Sequence, residues 1–239
     1  MKSALFVAVA ASVALLSLHA GEAEDRLKAA VAKLTDAPGY TWVSTTDISG
    51  APMRLSPTTG KVEKGGFMVL STEAFGSEIE VVRKGTNAVV KTDDGWMTAA
   101  ELPQPNFGGG GVPNMGAMMG RRLLSSKPPG EEVDSLLRRL GPLKADGDVL
   151  SGEFTEEGAK EYLKESRRGR SFAEPKSAKG GIRFWLKDGI VSKSELNLDT
   201  EMETPQGSMS LNSKTTTEIK DVGTTKVRVA SEALKKLGL

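Results

Sequence analysis

The chain has 239 residues, of which 26% are charged, and its formal net charge at pH 7 is +1. A surface of mixed charge without a basic excess excludes nucleic acid as an expected partner. The sequence contains no cysteine, which excludes disulfides and the lipid-modified cysteine of a lipoprotein.

The N-terminal residues have the organisation of a cleavable secretory signal peptide. Lys2 forms a short positive region, and an apolar run of 15 residues extends from Ala4 to Leu18. This run is shorter than the roughly 20 apolar residues that a membrane-spanning helix needs. We expect a signal peptide over residues 1–23, cut after Ala23 or, as the alternative, after Ala20. The mature chain is then periplasmic or secreted and has no transmembrane anchor.

The single histidine, His19, leaves with that signal peptide. Ser-His-Asp and Cys-His nucleophiles are then excluded, and so are zinc sites built on histidine or cysteine. Carboxylate, lysine, tyrosine or serine-lysine chemistry and oxygen-ligated metals remain, but no Asp or Glu stands in an apolar sequence context that would raise its pKa. We therefore predict that the protein is not an enzyme and that it uses no cofactor or metal.

The first half of the mature chain is predicted to form one helix followed by several strands. Between Glu24 and Thr35, apolar residues recur at helical spacing: Leu27, Ala30, Val31 and Leu34. Segments rich in Val, Thr and aromatic residues come next, separated by Gly, Pro, Asn and Asp. The predicted strands are Tyr40 to Ile48, Gly66 to Thr72, Glu78 to Lys84, Ala88 to Thr92 and Trp96 to Thr98.

The middle of the chain is predicted to contain a mobile loop and two helices. The loop extends from Phe107 to Met119 and includes a run of consecutive glycines, which give the backbone wide freedom. A helix from Gly130 to Leu140 follows, then a strand from Asp148 to Phe154. Thr155 is suited to cap the helix after that strand.

The C-terminal third alternates strictly between apolar and polar residues, which predicts an antiparallel meander. Ile182 and Phe184 share one face, and Asp188-Gly189 has the sequence of a two-residue hairpin turn. The same alternation continues through Leu196, Leu198, Met202, Met209, Leu211, Val227 and Val229. A short helix is predicted from Ser231 to Leu237.

These elements predict an α+β fold. A curved antiparallel sheet of about eight to ten strands, forming an incomplete barrel with helices packed on its concave face, buries the apolar surfaces. We expect a single domain over residues 24–239.

The arrangement resembles that of LolA and its LppX-like relatives, which are periplasmic carriers and lipid-binding lipoproteins built on a half-barrel with a helical lid. Three segments carry the resemblance: Pro38 to Tyr40 after the first helix, Gly147 to Phe154 running into the helix Ala159 to Leu163, and Phe184 to Gly189. The resemblance implies a lipid or acyl chain bound in the concave face beneath the lid. Without a lipidated cysteine, the chain is similar to the soluble carriers.

The apolar face of the meander and the methionine-bearing loop supply the candidate ligand-binding residues. They are Phe107, Met115, Met118, Met119, Phe184, Leu196, Leu198, Met202, Met209 and Leu211. Methionine suits a surface that repacks around varied apolar ligands. The alternative interpretation is an ordinary packed core, and the sequence leaves a hollow and a filled half-barrel both open.

Three functional hypotheses follow. The first is a carrier that holds a lipid, an acyl chain or a lipidated protein. The second is a module that binds another envelope protein without a small-molecule ligand. The third, a carboxylate-based hydrolase, is disfavoured because abundant acidic residues alone do not define a catalytic geometry.

Overall fold

The computed structural model describes residues 21–49, 55–74, 76–103, 115–166, 175–204 and 207–239. These residues contain five helices: α1 (21–36), α2 (Met115–Ser125), α3 (Pro129–Leu137), α4 (Glu156–Ser166) and α5 (Ser231–Leu237). They also contain eleven strands: β1 (Gly39–Ser49), β2 (Thr58–Glu63), β3 (Met68–Ala74), β4 (Ser77–Lys84), β5 (Asn87–Thr92), β6 (Gly95–Thr98), β7 (Lys144–Asp146), β8 (Val149–Glu153), β9 (Pro175–Lys187), β10 (Ile190–Thr204) and β11 (Gly207–Lys220). None of the described helices is both long enough and apolar enough to cross a membrane.

The strands form one antiparallel sheet in the order β6-β5-β4-β3-β2-β1-β11-β10-β9-β8-β7. Because β6 and β7 stand at the two ends of this order, the sheet is open. The predicted α+β class with an open antiparallel sheet is therefore confirmed. The described sheet has eleven strands, more than the eight to ten that the sequence predicts.

The chain divides into two compact units. The first comprises Met1–Leu34, Ile48–Pro52 and Glu132–Thr216, and the second comprises Thr35–Asp47, Met53–Glu131 and Thr217–Leu239. The first unit thus holds most of α1, strands β7 to β10 and helix α4. The second unit holds strands β2 to β6 with helices α2 and α5. The single domain over residues 24–239 stays a prediction.

In the first unit, β8, β9 and β10 form the meander that the alternation predicts. Leu150 of β8 lies opposite Phe184 of β9, and Leu196 of β10 lies opposite Ile182. The β9–β10 turn has Asp188 at φ 55° and Gly189 at φ 70°. Positive φ at both central residues is the geometry of a type I′ turn, whose twist matches the twist of paired strands.

Helix α1 buries the stripe that the sequence predicts. Ala23, Leu27 and Leu34 are all at most 1% exposed, and they recur at helical spacing. Arg26 ties the helix to the β7–β8 turn, because its guanidinium donates a hydrogen bond of 2.9 Å to the carbonyl oxygen of Gly147. The side of α1 that faces away from this stripe carries charged residues.

In the second unit, β2 lies between β1 and β3 and was not predicted from the sequence. Its central residue, Gly60, lies opposite Trp42 of β1. The indole of Trp42 occupies the space above the glycine, since a Cβ atom at position 60 would come within 2.1 Å of the ring. The sequence of β2 therefore has a glycine at a position where a strand normally carries an apolar side chain.

Helices α2 and α5 pack on opposite faces of the second unit's sheet. Val90 of β5 touches α2 at Gly120, where a Cβ would come within 2.8 Å of the valine. The next residue along the strand, Val89, faces the other way and packs with Val82 and with Ala233 of α5. The prediction that helices gather on one face thus does not extend to α5.

Two further expectations differ from the structure. Residues 115–119, predicted as part of a mobile loop, belong to helix α2, whereas residues 104–114 lie outside the described part of the chain. The segment from Lys226 to Val229, predicted as a strand, lies outside the sheet. Its backbone is held by a side chain instead, because Val227 donates its N–H to a carboxylate oxygen of Glu63 at 3.4 Å.

Candidate functional site

Four of the predicted ligand-binding residues come together on one face of the first unit's sheet. Phe184 is 1% exposed, Leu198 3%, Met202 6% and Leu196 8%. Phe184 belongs to β9 and the other three belong to β10, where their alternating positions place them on a common side. The central strands of this unit therefore carry a continuous apolar face.

The remaining predicted residues are placed differently. Met209, on β11, is 41% exposed, and Leu211 on the same strand is half-buried. Met118 and Met119 are half-buried in α2, and Met115 is the first residue of that helix. Phe107 lies outside the described residues. The role of all ten residues in ligand binding stays a prediction.

The apolar face is closely filled in this state. A side chain that lines a cavity wide enough for water has solvent-accessible surface toward that cavity. Phe184 and Leu198 have almost none, so protein atoms surround both side chains. Gly152 of β8 shows how the packing is made, since a Cβ at this position would meet Leu143 at 2.6 Å and Leu140 at 3.2 Å. The chain segment after α3 thus fills the space above the glycine.

Helix α4 lies over the same face. Phe154 follows Leu150 and Gly152 at a spacing of two, so it points to the same side as they do. Its ring packs on the ring of Tyr162 in α4, with centroids 5.6 Å apart, and α4 also packs against β9. The buried residues of α4 are Gly158, Ala159 and Leu163. Among these three residues of α4, Leu163 has the only large aliphatic side chain.

Arg139, just after α3, holds α4 in place. Its guanidinium forms ion pairs with Glu165 at 2.5 Å and with Glu161 at 3.6 Å, and its side chain is 16% exposed. The guanidinium also donates to the hydroxyl of Ser135. Its own carbonyl oxygen accepts the N–H of Thr155 at 3.0 Å, one residue before the helix. One residue therefore restrains both the start and the outer face of α4.

Arg83 has a comparable position at α2 in the second unit. Its Nη2 atom donates to the carbonyl oxygen of Leu124 and, at 3.0 Å, to that of Ser126. The carbonyl of Leu124 lies in the last turn of α2, where the helix itself offers no donors, and that of Ser126 belongs to the residue after the helix. The guanidinium thus satisfies acceptors that would otherwise remain unpaired.

Two surface pockets stand out among the described residues. One, of about 730 Å³, lies in the second unit and is lined by Arg83, Thr86, Asn87, Thr98 and Lys236 among others. The other, of about 290 Å³, lies in the first unit between α1 and α3 and is lined by Glu24, Lys28, Asp134, Leu137 and Arg138. None of the ten predicted ligand-binding residues lines either pocket.

A raised pKa is the property expected of a catalytic acid, and one described carboxyl group has it. Burial raises the pKa of Glu80, and the neighbouring charge of Glu78 raises it further, which the sequence did not reveal. Both groups stand on an open strand face, where Glu80 lies opposite Lys91, and neither lines a pocket. Within the described ranges, no group of three or more His, Cys, Asp or Glu residues is placed to hold a metal ion.

The antiparallel sheet with covering helices has counterparts among LolA-superfamily proteins and lipoproteins. Lipoprotein LppX from Mycobacterium tuberculosis is 9% identical, with a TM-score of 0.49 over 88% of this chain and 99% of LppX. LprF from Mycobacterium bovis is 11% identical, with a TM-score of 0.47 over 89% of this chain and 98% of LprF. A LolA superfamily protein from Nitrosomonas europaea is 11% identical, with a TM-score of 0.31 over 86% of this chain and 94% of that protein.

The likenesses to these three proteins concern the fold. No protein-family model matches the chain, and no curated protein sequence matches it either.

Proposed function

We propose that the protein is a non-catalytic, extracytoplasmic binding protein that holds a lipid or another acyl chain on the apolar face of β8 to β10. The observation that supports this proposal most directly is how little of α4 itself is buried. The face presents Phe184, Leu196, Leu198 and Met202, whereas α4 fully buries a single large side chain, Leu163, against the rest of the unit.

The apolar contact that α4 makes through Leu163 is small compared with the surface that a long acyl chain can bury. Burial of one leucine side chain stabilises by about 1.5 to 3 kcal/mol. An acyl chain gains about 0.8 kcal/mol for each methylene group that it buries. About four buried methylenes therefore offset the apolar contact that α4 makes through Leu163, and further methylenes are needed to offset the Phe154–Tyr162 contact and the ion pairs of Arg139.

Opening is a necessary step in this proposal, because the apolar side chains are in full contact in the closed state. Movement of α4 away from β9 would uncover the face and separate Tyr162 from Phe154. Met202, with its flexible thioether side chain, can then repack around a ligand of variable shape.

The compartment proposed for this activity follows from the predicted signal peptide. Lys2 and the apolar run from Ala4 to Leu18 direct the chain out of the cytoplasm. In that space, a carrier gives an insoluble acyl chain a protected route through water. A lipidated protein is a ligand of the same chemistry, since its acyl chains are what the face would contact.

The proposal is tested by locking α4. The chain has no cysteine, so Phe154→Cys combined with Tyr162→Cys creates one defined pair for a short bismaleimide cross-linker. We expect a fluorescent fatty acid to bind before cross-linking and to bind at least tenfold more weakly afterwards. The control pair is Thr59→Cys with Ser71→Cys, whose hydroxyl oxygens are 2.7 Å apart on β2 and β3.

Equal binding before and after cross-linking at α4 would contradict the proposal, as would the absence of binding to the parent protein. Native mass spectrometry of protein purified from its own cell envelope, followed by organic extraction, identifies the ligand. Recovery of a stoichiometric protein and no lipid would favour the envelope interaction module instead.

A further inference from the structure

The larger pocket of the second unit has the features of an anion-binding site. It has a volume of about 730 Å³ and is bounded by the β4–β5 turn, the residues after β6 and the C-terminal ends of α2 and α5. We propose that it binds a compact oxyanion, a carboxylate or a phosphate group, through Arg83, Thr86 and Asn87. The proposal does not depend on acyl-chain binding, because it uses different residues in the other unit.

Arg83 provides a fixed positive charge at the pocket. Both of its hydrogen bonds to the protein come from Nη2, which donates to the carbonyl oxygens of Leu124 and Ser126. Among the described residues, Nη1 and Nε have no partner, and no carboxylate is paired with the guanidinium. An arginine oriented in this way loses little side-chain entropy on binding and can present two parallel N–H groups to an oxyanion.

Two neutral donors of the β4–β5 hairpin stand beside this charge. Thr86 carries a hydroxyl and Asn87 a carboxamide, and both line the pocket. In the described part of the chain, neither side chain makes a hydrogen bond to another residue. Both are exposed, so they can turn toward a ligand without breaking a bond within the protein.

The acidic residue that follows the lining residue Ala100 is paired with a cation. Glu101 follows β6, and its carboxylate accepts hydrogen bonds from Lys236 at 2.7 Å and from the N–H of Thr98 at 2.8 Å. Lys236 therefore balances the charge of Glu101, and the charge of Arg83 remains uncompensated among the described residues. The local balance of the pocket is positive.

The rest of the lining limits the size and chemistry of the ligand. Ala99 and Ala100 leave room beside Asn87, while Leu124 and Leu237 supply apolar surface. An oxyanion on a short organic group fits this combination of one cation, polar donors and small apolar walls. The same group occurs on free metabolite-sized anions and on phospholipid headgroups, and the two sources are separated experimentally.

The test uses two-dimensional NMR of 15N-labelled full-length mature protein. Inorganic phosphate and butyrate are titrated in separate samples, and vesicles of phosphatidylglycerol are compared with vesicles of phosphatidylcholine by cosedimentation. We expect saturable shifts of the backbone amides of Thr86 and Asn87, weakened by added salt because the attraction is electrostatic. Shifts with the soluble anions assign a free ligand, whereas binding to phosphatidylglycerol vesicles alone assigns a headgroup.

The decisive variant is Asn87→Asp, which adds a carboxylate at an exposed position beside Arg83 and does not remove any contact of α2. We expect about tenfold weaker anion binding from this like-charge repulsion. Ser56→Asp adds the same charge at another exposed position of the unit and should leave binding unchanged. The proposal is overturned if neither soluble anions nor anionic vesicles bind, or if Asn87→Asp and Ser56→Asp behave alike.

Discussion

Trp42 and Gly60 are cross-strand neighbours on β1 and β2, and the indole of the tryptophan lies directly over the glycine Cα. Trp42 is 4% exposed, so its ring has little room to move. We predict that Gly60→Ala destabilises the fold by about 1 to 3 kcal/mol through overpacking. Chemical denaturation measures the change. Gly141→Ala is the control, because its new Cβ would meet its nearest neighbour at an ordinary 3.7 Å.

Enlarging the apolar face distinguishes a filled face from a hollow one. Leu198 is 3% exposed, and we predict that Leu198→Phe lowers the free energy of unfolding by about 1 to 3 kcal/mol. Leu211→Phe, at a half-buried position on β11, should change it by less than about 0.5 kcal/mol. Equal stability of Leu198→Phe and the parent protein would mean that the face contains unfilled space.

The ion pairs of Arg139 should govern how often α4 opens. We predict that Arg139→Met speeds hydrogen exchange of the α4 amides about tenfold, equivalent to about 1.4 kcal/mol in the opening equilibrium. Lys160→Met is the matched control in the same helix, because it removes only the exposed pair with Glu156, and exposed surface pairs contribute little to stability. High salt should narrow the difference between parent and Arg139→Met. If Arg139→Met leaves the exchange rates of α4 unchanged, the contacts between α4 and the sheet hold the helix without the ion pairs.

Glu101 should contribute stability that depends on pH. Its hydrogen bond with Lys236, together with those from Thr98, lowers its pKa in the folded protein to about 2, against about 4.3 in an unfolded chain. Since the folded state favours the ionised form, the contribution is complete above the unfolded pKa and disappears as the pH falls toward 2. We predict that Glu101→Gln lowers the melting temperature at pH 6 and that this deficit shrinks between pH 4.5 and 2. If the difference in melting temperature stays constant over this range, the Glu101 side chain stabilises the fold through its packing and not through its charge.

The cleavage site of the predicted signal peptide can be refined from α1. Ala23 is 1% exposed and lies in the first described turn of the helix, so removing it would take a buried residue from the fold. We therefore predict a mature N-terminus at Gly21, the alternative cut after Ala20. Intact mass of protein recovered from the producing cell tests this prediction. A mature chain that begins at Glu24 would show that Ala23 is dispensable, and a retained Met1 would remove the basis for an extracytoplasmic location.

The meander was predictable because its signals are local. Strict alternation placed Phe184 and Leu198 on one face, and Asp188-Gly189 specified the turn between their strands. Strand β2 is not predictable from the sequence, because Gly60 has the pattern of a strand break. The space above this glycine is occupied by the side chain of Trp42 from β1.

Helix α2 is hard to predict for a similar reason. Gly120 belongs to a glycine-rich stretch that is typical of a loop, but in the structure it allows the helix to pack closely on Val90. The role of Arg139 could not be anticipated, because it pairs with Glu165, 26 residues further along the chain. Such long-range contacts leave no periodic pattern in a single sequence.

The neighbours of β1 in the sheet are β2 and β11, and this order has a consequence for biogenesis. Ser44 shares a hydrogen bond of 2.8 Å with Thr217, 173 residues later, and Thr41 donates to Asp221, 180 residues later. One edge of β1 therefore stays unpaired until nearly the whole chain has been synthesised. Closing so long a chain segment is entropically costly and slow. While that edge is open it can pair with strands of other chains, so folding carries a risk of aggregation that ends only when β11 joins the sheet.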